Sequence, residues 1–250
     1  ALIEFNAKEG PFANPAVRRA ISLAIDRQFM IDNIFFGYGK PATSALSTNF
    51  KPTGLYASMP NYPARGDIAS AKALLDSAGI KPDANGVRIR AILDLIPYGE
   101  DWRRAGEYLK QVLGDIGIKL ELRYEDVPTW LKRIYHNYDF VMNVNYFYQL
   151  PDPVLGVHRH YGTDQIRKGT HFVNSSRYSN SELDELLASG ATEANAQKRT
   201  QIYKKIQEIL ARDMPVVNLF ELQFLTVYNT KLKGAYNSAL GAYASFSEAY

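Results

Sequence analysis

Cysteine is absent from all 250 residues. That removes disulfides, thiolate metal sites and cysteine nucleophiles together. A cysteine-free chain suits an oxidising compartment but occurs in the cytosol too, so it leaves location open. Long apolar runs are also missing. Nothing approaches ~18 consecutive apolar residues, so no membrane-crossing helix is expected. Charge of one sign is scarce: the formal net charge is +3 and is spread along the chain, which gives little support to nucleic-acid binding. No Gly-x-Ser-x-Gly elbow and no Gly-rich phosphate loop of the P-loop or dinucleotide type occurs, so the commonest hydrolase and nucleotide signatures are lacking. There is no internal repeat, heptad or low-complexity linker. What remains is a hydrophobic fraction of 46 % and a charged fraction of 22 %, ordinary for a soluble globular protein. A chain of this length buries roughly three quarters of its unfolded surface, enough for one large domain or two small ones.

Read from the start, Leu2-Ile3-Glu4-Phe5 is a strand already under way at a chain beginning with Ala1, with no initiator Met, basic n-region or apolar h-region. The expectation is a piece of a longer protein. Asn14 is placed to cap a helix with Pro15 in its first turn. Val17, Ala20, Ile21, Ala24 and Ile25 recur on one face of it, and Gly37 and Gly39 stop the pattern. Arg18, Arg19, Asp26 and Arg27 fall on other sides. For Arg18, Arg19, Arg103 and Arg104 a solvated surface is the expected default. Residues 43–65 read as loop. Asp67 then caps a short helix with Ile68, Ala71, Leu74, Leu75 and Ala78 on one face and Gly79 at its end.

A βαβ unit follows. Val87, Ile89, Ala91 and Leu93 alternate with polar neighbours, Trp102 to Ile116 is helical, and Ile118, Leu120 and Leu122 alternate again. This order predicts a parallel pair with a right-handed crossover. The adjacent Glu125 and Asp126 are expected to end that strand in solvent. A further helix over 127–135 and a strand over 140–145 are expected. Residues 146–179 show no period, and a loop of that length tends to be functional. Helices over about 181–188 and 195–212, an extended stretch over 214–228 and a weakly patterned polar, aromatic tail from Gly234 complete the chain.

The long loop concentrates the residue types that line a small-molecule cleft: Tyr146, Phe147, Tyr148, Asp152, His160, Tyr161, Phe172 and Asn174, with His158, Arg159, Arg167, Lys168, His171, Arg177 and Tyr178 among them. Aromatic rings offer apolar area with a polar edge, and Asp or Arg neutralises a charged end. A bland reading stands beside this one: a long surface loop in a Tyr-rich protein accumulates aromatics. His158 and His160, two apart, would share one side of a strand and could be joined by His171 as a metal site. Asp152 with His158 or His160 could form an acid–base pair. Neither has supporting carboxylate spacing or motif, so no catalytic residue, dedicated metal site or cofactor is expected.

The order Pro11-Phe12, Val17-Arg18, Ala20, Ala24-Ile25-Asp26-Arg27, Gly37 and Gly39-Lys40-Pro41 resembles a signature of the extracellular solute-binding proteins of the peptide/nickel class, family 5. These are the ligand-capturing subunits of bacterial ABC importers. The family has an acidic pair where this chain has Ala13-Asn14. Further matches are Ala71-Lys72-Ala73-Leu74-Leu75 with Ala78-Gly79; Asp152-Pro153 behind Tyr146-Phe147-Tyr148; Asn174, Tyr178 and Asn180-Ser181-Glu182-Leu183-Asp184. Arg199, Tyr203, Gln207 and Pro215 follow and read as structural. The resemblance runs from Phe5 to Gly234.

It implies an α/β fold of the periplasmic-binding-protein-like (type II) kind, a mixed sheet flanked by helices. Residues 1–229 would be the second lobe of a two-lobed binder, and 230–250 would return toward the first lobe. It implies a non-enzymatic function: capture of a peptide-like solute, an oligopeptide or dipeptide first, for delivery to an ABC permease. The eight loop residues named first above would contribute ligand contacts. No nucleic acid is implied, and a membrane only through the permease. The location would be the periplasm, or the cell surface as a lipoprotein in a Gram-positive organism. The competing reading is a hydrolase or metal-binding protein built on the loop histidines. Convergence of His158, His160 and His171 would favour it.

Overall fold

A computed structural model describes residues 1–235 and 246–250. Its centre is a five-stranded mixed sheet. The strands are β1 (Leu2–Phe5), β3 (Ile89–Leu95), β4 (Ile118–Arg123), β5 (Met142–Asn145) and β6 (Val216–Asn218), in the order β4-β3-β5-β1-β6. β3 pairs parallel with both β4 and β5, and β1 pairs antiparallel with both β5 and β6. The parallel β3–β4 pair expected from the alternating pattern is present. Since β1 runs against its neighbours, its first residue Leu2 lies opposite Asn145 and Asn218, at the edge where β3, β4, β5 and β6 all end. A small second sheet pairs β2 (Gly39–Pro41) with β7 (Phe220–Leu222).

The two faces of the main sheet differ in chemistry. Ile3, Phe5, Leu93, Leu95, Met142, Val144 and Val217 share one face and join a single apolar core. Helices α1 (Pro15–Ala24) and α4 (Glu100–Asp115) touch the sheet on that core. At Gly106 of α4 an added Cβ would come within 2.5 Å of the Leu95 side chain, which fixes how closely helix and strand approach. The other face carries Glu4, Asp94, Asn143, Asn145 and Asn218, and all five are buried. Helix α5 (Val127–Leu131), the π-helical turn Lys132–Asn137 that continues it, and residues 172–178 cover that face. Helices α7 (Ser181–Thr192) and α8 (Ala196–Asp213) pack together over a second core with Phe50, Leu55, Val157 and Tyr161.

The expected caps hold: Asn14 and Asp67 each cap a helix with a side-chain oxygen, α3 (Ile68–Ser77) being the one behind Asp67, and Asp126, Asn180 and Asn195 do the same at three further helix starts. Four corrections are needed. First, the opening helix is two helices. α1 stops at Ala24, Ile25 is extended, and Asp26 caps α2 (Arg27–Asn33). Asp67 N–H donates to the Leu23 carbonyl at 2.8 Å. Gly66 sits so near that a Cβ there would lie 2.3 Å from the Ala24 oxygen. A distant segment thus uses carbonyls that another helical turn would have consumed.

Second, Arg18 is buried, not solvated. Its guanidinium donates to the carbonyls of Phe12, Ala13, Asp213 and Met214, so it closes the C-terminus of α8. Arg27 is buried too and donates to the Ser22, Pro63 and Asn218 carbonyls and to Ser22 Oγ. Arg103 and Arg104 are exposed as expected, and Arg19 is partly so. Third, Glu125 does not end a strand in water: it accepts from Arg133 at 2.6 Å, while Asp126 is the cap of α5. Fourth, the expected helix over 127–135 changes to a π turn after Leu131 and closes with Tyr138 in the left-handed region at φ 54°. Of the extended stretch over 214–228, β6 and β7 are the regular parts. The tail from Gly234 falls largely outside the described residues; Lys233 and Tyr250, on either side, exchange backbone hydrogen bonds.

Candidate ligand-contact face

Tyr146, Phe147 and Tyr148 follow the end of β5, and their rings go to two different groups. Tyr146 is the hub of one group. Its ring stacks on Trp102 at 5.7 Å and meets Tyr98 at 5.9 Å, Tyr148 at 5.7 Å and Phe224 at 5.8 Å. Phe224 stacks on Tyr148 at 5.5 Å. Tyr98 follows β3 and Tyr146 follows β5 at the carboxyl edge of the main sheet, and Phe224, which follows β7 of the small sheet, joins them in one aromatic face. Ligands of open α/β sheets bind at that edge. Tyr98 is 42 % exposed, Tyr148 46 % and Phe224 61 %. Five rings meeting with three of them open to solvent make an apolar surface with phenolic edges.

Phe147 points the other way. Its ring meets His160 and Phe172, Phe172 meets Trp130 and Tyr135, and His160 meets Tyr161. This second group covers the polar face of the sheet. Trp130 Nε1 donates to Asn143 Oδ1 at 3.0 Å, and the Tyr135 hydroxyl accepts from Asn145 at 2.8 Å. Glu4 is the centre of that layer, accepting from Asn143, Asn145 and Ser175 at 2.8, 3.1 and 2.7 Å. Burial without a cationic partner pushes its carboxyl up to about 7, against the three hydrogen bonds that favour the anion. Asp94 is raised by burial as well, and Arg123 opposes that with two hydrogen bonds at 2.6 and 2.8 Å. His160 is driven well below the usual imidazole range by burial, so it sits neutral in the packing.

The eight expected contact residues therefore divide. Tyr146 and Tyr148 share the open face. Phe147, His160, Tyr161 and Phe172 pack inward, with His160 and Tyr161 buried. Asn174 is buried and donates to the Gly162 and Tyr178 carbonyls, an internal tie for the loop. Asp152 caps the short turn Pro153–Leu155, and both of its carboxylate oxygens accept from Arg199 Nη2 at 2.8 Å. Its charge is already paired. Tyr98, Trp102 and Phe224 were not among the expected residues. The signal for the first two was available: Tyr98 directly follows a strand of the parallel pair, and Trp102 stands one turn into the next helix.

The loop histidines do not meet. His158 and His160 lie on the five-residue helix α6 (Val157–Tyr161), not on a strand, so a two-residue spacing turns them apart. His158 Nε2 lies 3.1 Å from Asp164 Oδ1, and His171 pairs with His136. Among the described residues no three His, Cys, Asp or Glu side chains gather as a metal cluster. An open groove of about 790 Å³ lies between α2 and α4, lined by Phe29, Ile34, Tyr108 and Val112. None of the expected residues lines it.

The family described as bacterial extracellular solute-binding proteins, family 5 Middle, matches residues 1–167. The chain belongs to that family. Its members are extracellular solute-binding proteins by description, not enzymes. Among similar proteins, the glutathione-binding protein GsiB of Salmonella paratyphi A is 26 % identical over 236 residues, which cover 93 % of this chain and 44 % of GsiB. Di/tripeptide-binding protein 3 of Pseudomonas aeruginosa is 24 % identical over 242 residues, covering 97 % of this chain and 43 % of that protein. The crystal structure of the ABC transporter substrate-binding protein CtaP from Listeria monocytogenes superposes with a TM-score of 0.74 at 27 % identity, over 88 % of this chain and 43 % of CtaP. The mixed α/β fold implied by the resemblance is the one these family 5 structures share. The chain spans less than half the length of the relatives it matches.

Proposed function

We propose that this chain is one jaw of a solute-capturing protein serving an ABC importer. Residues 1–229 form the second lobe in this reading, and 230–250 return toward the first. A solute binds between two lobes, closure buries it, and the closed form delivers it to a membrane permease. Binding needs differential affinity for the closed state and no bond chemistry. The carrying observation is the open aromatic face at the carboxyl edge of the sheet, where Tyr98, Tyr146, Tyr148 and Phe224 converge and where β1 begins and β6 ends. A di- or oligopeptide is the favoured solute class, in keeping with the names of the relatives. The location is the periplasm or the outer cell surface. Because Asp152 is engaged by Arg199, this jaw supplies stacking area, while charged ends of the solute are met by the first lobe.

Mass spectrometry of solute released from the purified full-length protein identifies the guest, and calorimetry with that solute measures affinity. Tyr98→Ala and Tyr148→Ala are expected to weaken binding at least tenfold each. The isolated 250-residue chain is expected to bind weakly or not at all, since part of the buried contact surface is gone. Unchanged affinity in both variants would sink the assignment of this face.

A further inference from the structure

His136 and His171 are 35 residues apart in sequence, both exposed, and their Nε2 atoms lie 3.1 Å apart. The arrangement is built by the fold at two points. The π-helical turn Lys132–Asn137 sets the register of His136, and π turns recur at functional sites. The loop carrying His171 is pinned to the same turn by Gly169 N–H donating to the Tyr135 carbonyl at 2.8 Å, and the His171 ring packs against Tyr135. At Gly169 an added Cβ would approach His136 Nδ1 at 3.7 Å, in ordinary contact, so the loop lies directly over that ring.

We propose that His136 and His171 are a two-histidine seat for a divalent transition cation of the Zn²⁺ type. Two Nε2 atoms bound to one ion at about 2.05 Å would, at their present separation, subtend about 98°. The ring centroids, 5.2 Å apart, give about 109° for the same bond length. Both values lie between the octahedral and tetrahedral angles, so an ion enters after the two side chains relax around it. Neutral imidazole suits borderline first-row cations and not Mg²⁺ or Ca²⁺, which need oxygen donors. No third His, Cys, Asp or Glu completes a cluster among the described residues. The remaining coordination positions therefore go to water or to a donor atom on another molecule. A bound ion would clamp the 162–178 loop to the turn that carries Tyr135. The proposal is independent of the solute reading above.

The test titrates the full-length protein with Zn²⁺ alone, calorimetrically, at pH 7.5. Binding of one ion is expected, lowered at least tenfold in His136→Ala and in His171→Ala and unchanged in His158→Ala. Mg²⁺ should give no heat of binding. Imidazole proton resonances of His136 and His171, and not of His158, should shift on addition of Zn²⁺. Should either alanine variant fold poorly, His136→Gln and His171→Gln stand in for it. Wild-type affinity retained in the double variant, or Zn²⁺-dependent shifts confined to His158, would overturn the proposal.

Discussion

Tyr146, Phe147 and Tyr148 are consecutive, yet they serve two aromatic groups with opposite environments. The group around Tyr146 is open and rests on the carboxyl edge of the sheet. The group around Phe147 is closed and rests on a buried layer of Glu4, Asp94, Asn143 and Asn145. One tripeptide feeds both. The comparison teaches that aromatic content in a loop does not by itself mark a binding face. What separates the two is the partner each ring finds. Inward rings sit on polar atoms that must be hydrogen-bonded once removed from water, whereas three of the outward rings, Tyr98, Tyr148 and Phe224, stay open to solvent.

Breaking the closed group should cost far more stability than breaking the open one. Trp130→Ala deletes a fully buried indole and leaves Asn143 Oδ1 without its donor, so a loss of about 3–5 kcal/mol is expected. Urea unfolding measures it, and a loss below about 1 kcal/mol would remove the distinction between the groups. Next is Glu4. An acid whose native pKa is raised holds its proton more tightly when folded, so its contribution is fully present below pH 4.5 and is lost as the pH rises through about 7. Over those 2.5 pH units (7 − 4.5) the decline reaches about 3.5 kcal/mol at ~1.4 kcal/mol per unit. Stability curves of wild type and Glu4→Gln against pH should differ by that slope, and parallel curves would show that Glu4 is not desolvated.

Asp152 sharpens the comparison from the other side. As the partner of Arg199, Asp152→Asn is expected to lower stability by about 1 kcal/mol, given that the pair is partly exposed, and to leave solute affinity within about twofold. A tenfold loss of affinity with no change in melting would return Asp152 to the contact set. The smallest stability effect is expected for Tyr148→Ala, within about 0.5 kcal/mol of wild type, beside the tenfold loss of affinity already assigned to it. A large drop in melting temperature there would mean that the open group is structural as well.

Much of the fold was legible because it rests on local rules. Caps at Asn14 and Asp67, the apolar stripe of α1 and the strand–helix–strand order all depend on neighbours within a few residues. The aromatic cluster was legible as a region and not as a set of meeting rings. Tyr98 and Phe224 join Tyr146 only because β3, β5 and β7 end near one another, and no spacing in the chain encodes that meeting. The burial of the strands' polar side was not legible either. Alternation in Leu2–Phe5 and Met142–Asn145 is the pattern of a half-exposed strand, but here the polar side is roofed by α5 and residues 172–178. Arg18 failed for the same reason: a cation on the polar side of a helix reads as solvated until distant carbonyls close over it.

By itself the sequence determined the family, the helix starts at Asn14 and Asp67, and the concentration of aromatics between 146 and 179, since each follows from residue types at short range. Only the tertiary structure decided which rings face outward, which carboxylate is buried beside neutral donors, and that His136 meets His171. Those are properties of where distant segments come together, and burial changes the energy of a side chain more than its identity does.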